Sequence, residues 1–203
     1  MIRVTKAKVL NLESAARGAR NPLASWERSD STGTGDAFRL GEADLGLLAR
    51  LSKAGSDHRK FNRMILLCCD IEAPLYWWKE YDTYKVGTVA NSTSTMHKIH
   101  AKPFSRADFS CDRMNETGLA ALDRVIDTLE GLRLGFVETG DRELWYTMIQ
   151  LLPSSYNQLR TCTLNYENLI NIYRARKNHK LDEWREFCRF IEGLPYAKEL
   201  ITF

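Results

Sequence analysis

The chain has 203 residues, of which 44% are apolar and 27% charged, with a formal net charge of +3. That apolar share excludes a largely disordered chain, and the length suits one domain, residues 1–203, with a core of its own. The mild positive balance excludes the basic excess of a non-specific nucleic-acid binder.

Residues 2–10 alternate apolar and polar side chains, which predicts an edge or half-buried strand. Residues 13–20 form a short helix, stopped by Asn21-Pro22. Residues 29–36, S-D-S-T-G-T-G-D, are expected to be a mobile loop; no Lys follows the glycines, so it is not a phosphate-gripping P-loop. Residues 44–53 carry Leu45, Leu48, Ala49 and Leu51 on helical spacing, and Gly55 is a stop signal. The Ile, Leu and Cys content of 61–71 predicts a central strand. Pro74 then opens an aromatic helix, L-Y-W-W-K-E-Y-D-T-Y-K-V.

Residues 88–96 are small and polar, hence a loop. A strong amphipathic helix covers 116–132, with Leu119, Leu122, Val125, Ile126 and Leu129 on one stripe, broken by Gly131 and Gly135. Helices over 141–152, 163–176 and 182–192 complete a helix-rich second half. No apolar run approaches the roughly 18 residues that cross a bilayer. The N-terminus shows no signal-peptide core, so a cytoplasmic protein with no membrane partner is expected.

The five cysteines (Cys68, Cys69, Cys111, Cys162, Cys188) are odd in number and form no C-x-x-C pair. Structural zinc wants paired ligands at short spacing, so no metal site is expected, and Cys68 and Cys69 suit buried reduced thiols. His97 and His100 lie one helical turn apart without a carboxylate or Cys nearby. The densest basic stretch runs from Arg174 to Lys180. It suits a small phosphorylated ligand or an acidic partner better than duplex DNA, and it alone motivates a nucleic-acid accessory role.

Two features carry candidate chemistry. Trp77, Trp78, Tyr81 and Tyr84 recur at steps of three and four, a stripe that suits either a core or interface, or stacking on a planar ring. Asn165, Asn168, Asn171 and Arg174 recur likewise. Asn is a poor helix former, so such a face is either solvated or a contact that uses directional amides and a guanidinium for phosphate.

Leu152-Pro153, Tyr156, then Asn168-Leu169-Ile170-Asn171-Ile172-Tyr173-Arg174-Ala175-Arg176 and Leu181-Asp182-Glu183-Trp184 resemble the C-terminal motif of the flavin-dependent thymidylate synthases. There a Leu-Pro turn and a Tyr precede N-L-x-H-F-L-x-L-R, and Asn171 stands at that motif's His. Ala15-Ala16-Arg17, the helix ending at Gly55 and His58-Arg59-Lys60-Phe61 follow the family's order, which covers residues 2–187. The resemblance implies an α/β fold, a central mixed sheet surrounded by helices, in a homotetramer or homodimer with shared sites. It further implies FAD as cofactor and a pyrimidine nucleotide, dUMP or a relative, as the methylated substrate. His58, Asn91, Ser94, Asn168, Arg174 and Arg176 then fall at the cofactor, and Lys85, Tyr81 and Trp78 at the substrate.

The chain departs from the family at one motif. Trp77 to Lys85 occupies the place of Q-L-x-R-H-R, so no Arg-His-Arg cluster is present. The following motif keeps Asn91 and Ser94, with Val89 and Met96 where the family has Ser and Arg. Lysines do not restore bidentate phosphate binding, and no catalytic residue carries over. The alternative is a non-catalytic oligomeric binding or structural protein that kept the fold and lost the cofactor site.

Overall fold

The alternation at the N-terminus becomes β1 (Arg3–Leu10), most of whose side chains are exposed. The computed structural model describes residues 2–203. After β1, α1 (Leu12–Ala19) buries Ala15 and Ala16, and α2 (Glu42–Lys53) buries Leu48. A 3-10 turn at Lys60–Arg63 takes the first residues expected as strand, so β2 begins later, as Leu66–Pro74. Pro74 precedes α3 (Leu75–Tyr81), where its fixed φ and missing N–H cost nothing.

The stretch expected as a loop holds β3 (Val89–Ser92) and the one-turn α4 (Thr95–Lys98). All four β3 side chains are exposed, so no apolar alternation announces the strand. Thr93 N–H at its end donates to Leu159 O at 2.9 Å, and Gln158 Nε2 donates back to Thr93 O at 2.8 Å. The helix expected to break at Gly131 and Gly135 runs unbroken as α5 (Glu116–Thr139) and stops at Gly140, in the left-handed region at φ 69°. Each interior glycine costs roughly 1 kcal/mol, less than is gained by packing Leu122, Ile126 and Leu129 into the core.

After α6 (Arg142–Leu151), the chain forms β4 (Asn157–Asn165), and only then α7 (Tyr166–Arg176), followed by α8 (Asp182–Glu192) and α9 (Ala197–Leu200). The helix expected over 163–176 therefore starts three residues later. Asn165 is its cap and not a member of its face.

The sheet order is β1-β2-β4-β3. Arg3 pairs with Glu72 and Lys6 with Asp70, while Cys68 meets Thr163 and Asp70 meets Thr161. Rising numbers on one strand meet falling numbers on the next. The α/β class holds, but the sheet is antiparallel and not mixed. The same register sets Cys69 opposite Cys162, both buried as reduced thiols. Burial, with the other cysteines close by, pushes the Cys69 thiol up to about 12.

The chain folds as two compact units. One comprises Glu72–Thr83 and Asn91–Arg160 with the chain start as far as Arg3. Its core gathers Ile99, Phe104, Phe109, Leu122, Ile126, Leu129 and Met148. The other comprises Val4–Ile71, Tyr84–Ala90 and Thr161–Phe203. In it Trp184, Phe187, Ile191, Leu169, Ile170 and Leu200 are fully enclosed.

Residues 29–36, expected to be a mobile loop, are tied down within the second unit. Asp44 accepts from Ser29 and Ser31 hydroxyls and from Arg20 Nε at 2.5 Å, with both Arg20 and Asp44 buried. Asp30 accepts from the amides of Ala43 and Asp44 at 2.8 and 3.0 Å. A Cβ on Gly41 would lie 2.4 Å from Asp30 O, so only glycine fits there.

Candidate functional site

The amide-rich segment that the sequence marks out is, first of all, a helix start. Asn165 Oδ1 accepts from Asn168 N–H at 2.9 Å, and Asn168 Oδ1 accepts from Asn165 N–H at 3.0 Å. This reciprocal box satisfies two orphan donors at the head of α7, which is why two poor helix formers sit there. The second-turn Asn171 and Arg174 are exposed; Arg174 lies over the Phe203 ring at 5.0 Å.

Residues 84–88 lie along this helix. Asn168 Nδ2 donates to Val86 O at 2.7 Å, and Arg176 Nε donates to the Tyr84 hydroxyl at 2.9 Å. The Arg176 guanidinium also sits 4.8 Å from the Trp184 ring and 5.7 Å from the Tyr84 ring. Gly87 adopts φ 77°, and a Cβ there would meet Asn165 Nδ2 at 2.7 Å. Lys85, at the tip of this strap, is exposed, as is Val86. Two of the donors singled out for a ligand, Asn168 and Arg176, thus bind the chain's own backbone and a tyrosine. Tyr84 and Lys85 of this loop end the stretch, Trp77 to Lys85, that stands where the resemblance leads one to look for Arg-His-Arg.

His58 is exposed beside a cavity of about 370 Å³ whose walls include Leu47, Leu51, Phe61, Met64 and Pro22, with Lys60 at its edge. Its neighbour Arg59 turns inward to a two-pronged pair with Glu167 in the first turn of α7, at 2.7 and 2.8 Å. Hydrogen bonding to that carboxylate raises the Arg59 guanidinium above its usual range. The cavity is mostly apolar, with Asp57, His58 and Lys60 as its charged or polar lining, which suits a ring system carrying a polar group.

The remaining candidates belong to the other compact unit. Asn91 is exposed on β3, and Ser94 caps α4 by accepting from His97 N–H at 3.0 Å. Trp78 and Tyr81 are 1% and 2% exposed. Their rings meet each other edge to face at 5.1 Å, and Trp77 stacks on Tyr81 at 5.2 Å. Trp78 Nε1 donates to Gln158 O at 3.0 Å. The reading of Trp78 and Tyr81 as substrate contacts is corrected, because both rings are covered by the core. Sequence reasoning missed Arg160, whose guanidinium lies 4.2 Å over Trp78 and pairs with Asp82 at 2.8 Å. Recognising β4 would have found it, since the strand's alternation aims Gln158 and Arg160 to the same side.

No protein-family model matches the chain, and no curated protein matches it in sequence. Two solved structures of the flavin-dependent thymidylate synthase ThyX of Helicobacter pylori, both with FAD and dUMP, are similar to it in fold. The likeness covers 100% of this chain and 97% of theirs, with TM-scores of 0.69 and 0.71 at 18% identity. The fold implied by the sequence resemblance is therefore the fold of this chain.

The side chains present fit such ligands in part. Lys85, Arg174, Lys60 and His58 are exposed groups suited to phosphates, and the cavity beside His58 accepts an apolar ring edge. The aromatic stripe of α3 offers no stacking surface.

Proposed function

We propose that the protein binds FAD and a pyrimidine nucleotide of the dUMP kind as a homo-oligomer, a tetramer or dimer. What carries this reading is the full-length likeness of its fold to an enzyme solved with both ligands. His58, Asn91, Ser94, Asn168, Arg174 and Arg176 are the proposed cofactor positions, and Lys85 is the proposed nucleotide phosphate contact. A bound flavin supplies hydride transfer, and the chain's part is to bind and orient. No residue is assigned to methylation of dUMP, because Trp77 to Lys85 stands in place of the family's cationic motif. The test is purification followed by melting with and without ligand. A bound ligand at a hundredfold excess over its Kd adds about 2.7 kcal/mol, so FAD and dUMP each raise Tm by several degrees and the protein is yellow. Colourless protein whose Tm ignores FAD, FMN and dUMP removes the proposal.

A second reading is favoured by the hydrogen bonds of Asn168 and Arg176 to Val86 and Tyr84. In it the protein is an oligomeric, non-catalytic relative in fold whose helix donors serve its own loop. It predicts a stable oligomer indifferent to flavin, and tight FAD binding by wild-type protein would exclude it.

A further inference from the structure

A cavity of about 750 Å³ lies between the end of β1, the start of α1, residues 35–39 and the Pro195-Tyr196 turn. None of the residues assigned above to flavin or nucleotide lines it. Its volume is that of a small-molecule site, and its lining joins an apolar wall to the polar side chains of Lys8, Asn11, Glu13, Ser14, Asp36 and Arg39. Val9, Leu12, Phe38 and Pro195 form the wall. Arg39 is the polar group with unspent capacity. Its Nη1 donates to the carbonyls of Asp36 and Phe38 at 2.9 and 2.7 Å, which fixes the guanidinium, while Nε and Nη2 have no hydrogen-bond partner among the described residues. That remaining edge is the two-pronged geometry that matches a carboxylate or phosphate.

The cavity is also built in advance. Lys8 reaches Asp36 across it at 3.2 Å, and Gly35 N–H donates to Glu13 at 3.3 Å. Thr32 and Arg39 exchange backbone hydrogen bonds at 3.0 and 2.9 Å, and Leu40 N–H donates to the Tyr196 hydroxyl at 3.0 Å. Behind them stands the buried Arg20–Asp44 network. Asn11 and Tyr196, both on the lining, hold left-handed backbones at φ 66° and 55°. Non-glycine residues keep such conformations only where the surroundings over-determine them, often at ligand sites. A preformed wall spares a ligand the ordering cost.

We propose that this cavity is a second ligand site, for a small molecule with an apolar or aromatic body and one anionic group, bound through the open edge of Arg39. Phenyl phosphate is the probe. Calorimetric titration of the full-length protein, with dUMP and FAD present at saturating amounts, gives one saturable site per chain. Inorganic phosphate binds at least tenfold more weakly, because it leaves the apolar wall bare. Arg39→Ala weakens phenyl phosphate at least tenfold with an unchanged melting curve, as befits an exposed side chain, and Arg39→Lys recovers only part of the loss. Absence of saturable heat with wild-type protein overturns the proposal, as does affinity within twofold of wild type in Arg39→Ala.

Discussion

Single residues decide much of this structure through what they leave uncompensated. Asp44 is the sharpest case, enclosed with Arg20 in the second unit. Burial works against its charged form, yet hydrogen bonds from Ser29, Ser31 and Arg20 outweigh burial and hold the carboxyl below its usual 3.8. A lowered carboxyl pKa gives stability that is present above the unfolded value and lost as pH falls through the folded one. Urea stability should therefore decline below pH 3.8 with a component that Asp44→Asn abolishes. At neutral pH that substitution leaves Arg20 buried without its counter-charge and should cost about 3–5 kcal/mol; a loss under 1 kcal/mol would contradict the account. Tyr173 has the opposite sign. Its hydroxyl donates to Glu192 at 2.8 Å, and that bond, then burial, pushes it up to about 12. The stability it contributes is present below the ordinary tyrosine range and lost as pH rises toward that value, which absorbance titration of Tyr173→Phe against wild type would register.

At the scale of elements, caps and glycines give the clearest expectations. Asn165→Ala removes half of the box at the head of α7 and should cost roughly 1 kcal/mol, as such caps do. Asn168→Ala removes the other half and also the tie to Val86. Losing about 1 kcal/mol of local stability opens the strap at 84–88 about fivefold more often. Trypsin should then cut after Lys85 faster by that factor, and equal rates would show that the strap does not depend on Asn168. Gly131→Ala, at an exposed α5 position where a Cβ meets nothing within 4 Å, should stabilise by about 0.5–1 kcal/mol. Helices with one apolar stripe, such as α2, α5 and α8, were legible in the residues. The two strands that were not, β3 and β4, have physical reasons. β3 presents four exposed side chains, and β4 is followed without a break by α7, so the buried run Leu164-Asn165-Tyr166 blends two periods. Misplacing that boundary makes Asn165 a face residue, and the capping role of Asn168 follows only from the geometry. The burial of Trp78 and Tyr81 depends on neighbours distant in sequence.

For the whole molecule, the question is how many copies assemble. Leu134 and Val137 on α5 and Tyr146 on α6 are 55%, 59% and 50% exposed. Large apolar side chains grouped on one helical hairpin mark an interaction face. Light scattering should give a multiple of 23.4 kDa, and Leu134→Asp with Val137→Asp should lower it; monomeric wild type would count against the proposed oligomer. The facing thiols of Cys69 and Cys162 have a practical sequel. Enclosed, they are shielded from alkylating reagents while the sheet stays intact. At these two positions a maleimide left with the native protein would mark only those molecules whose β2–β4 seam has parted, and its uptake there would serve as a clock for spontaneous opening.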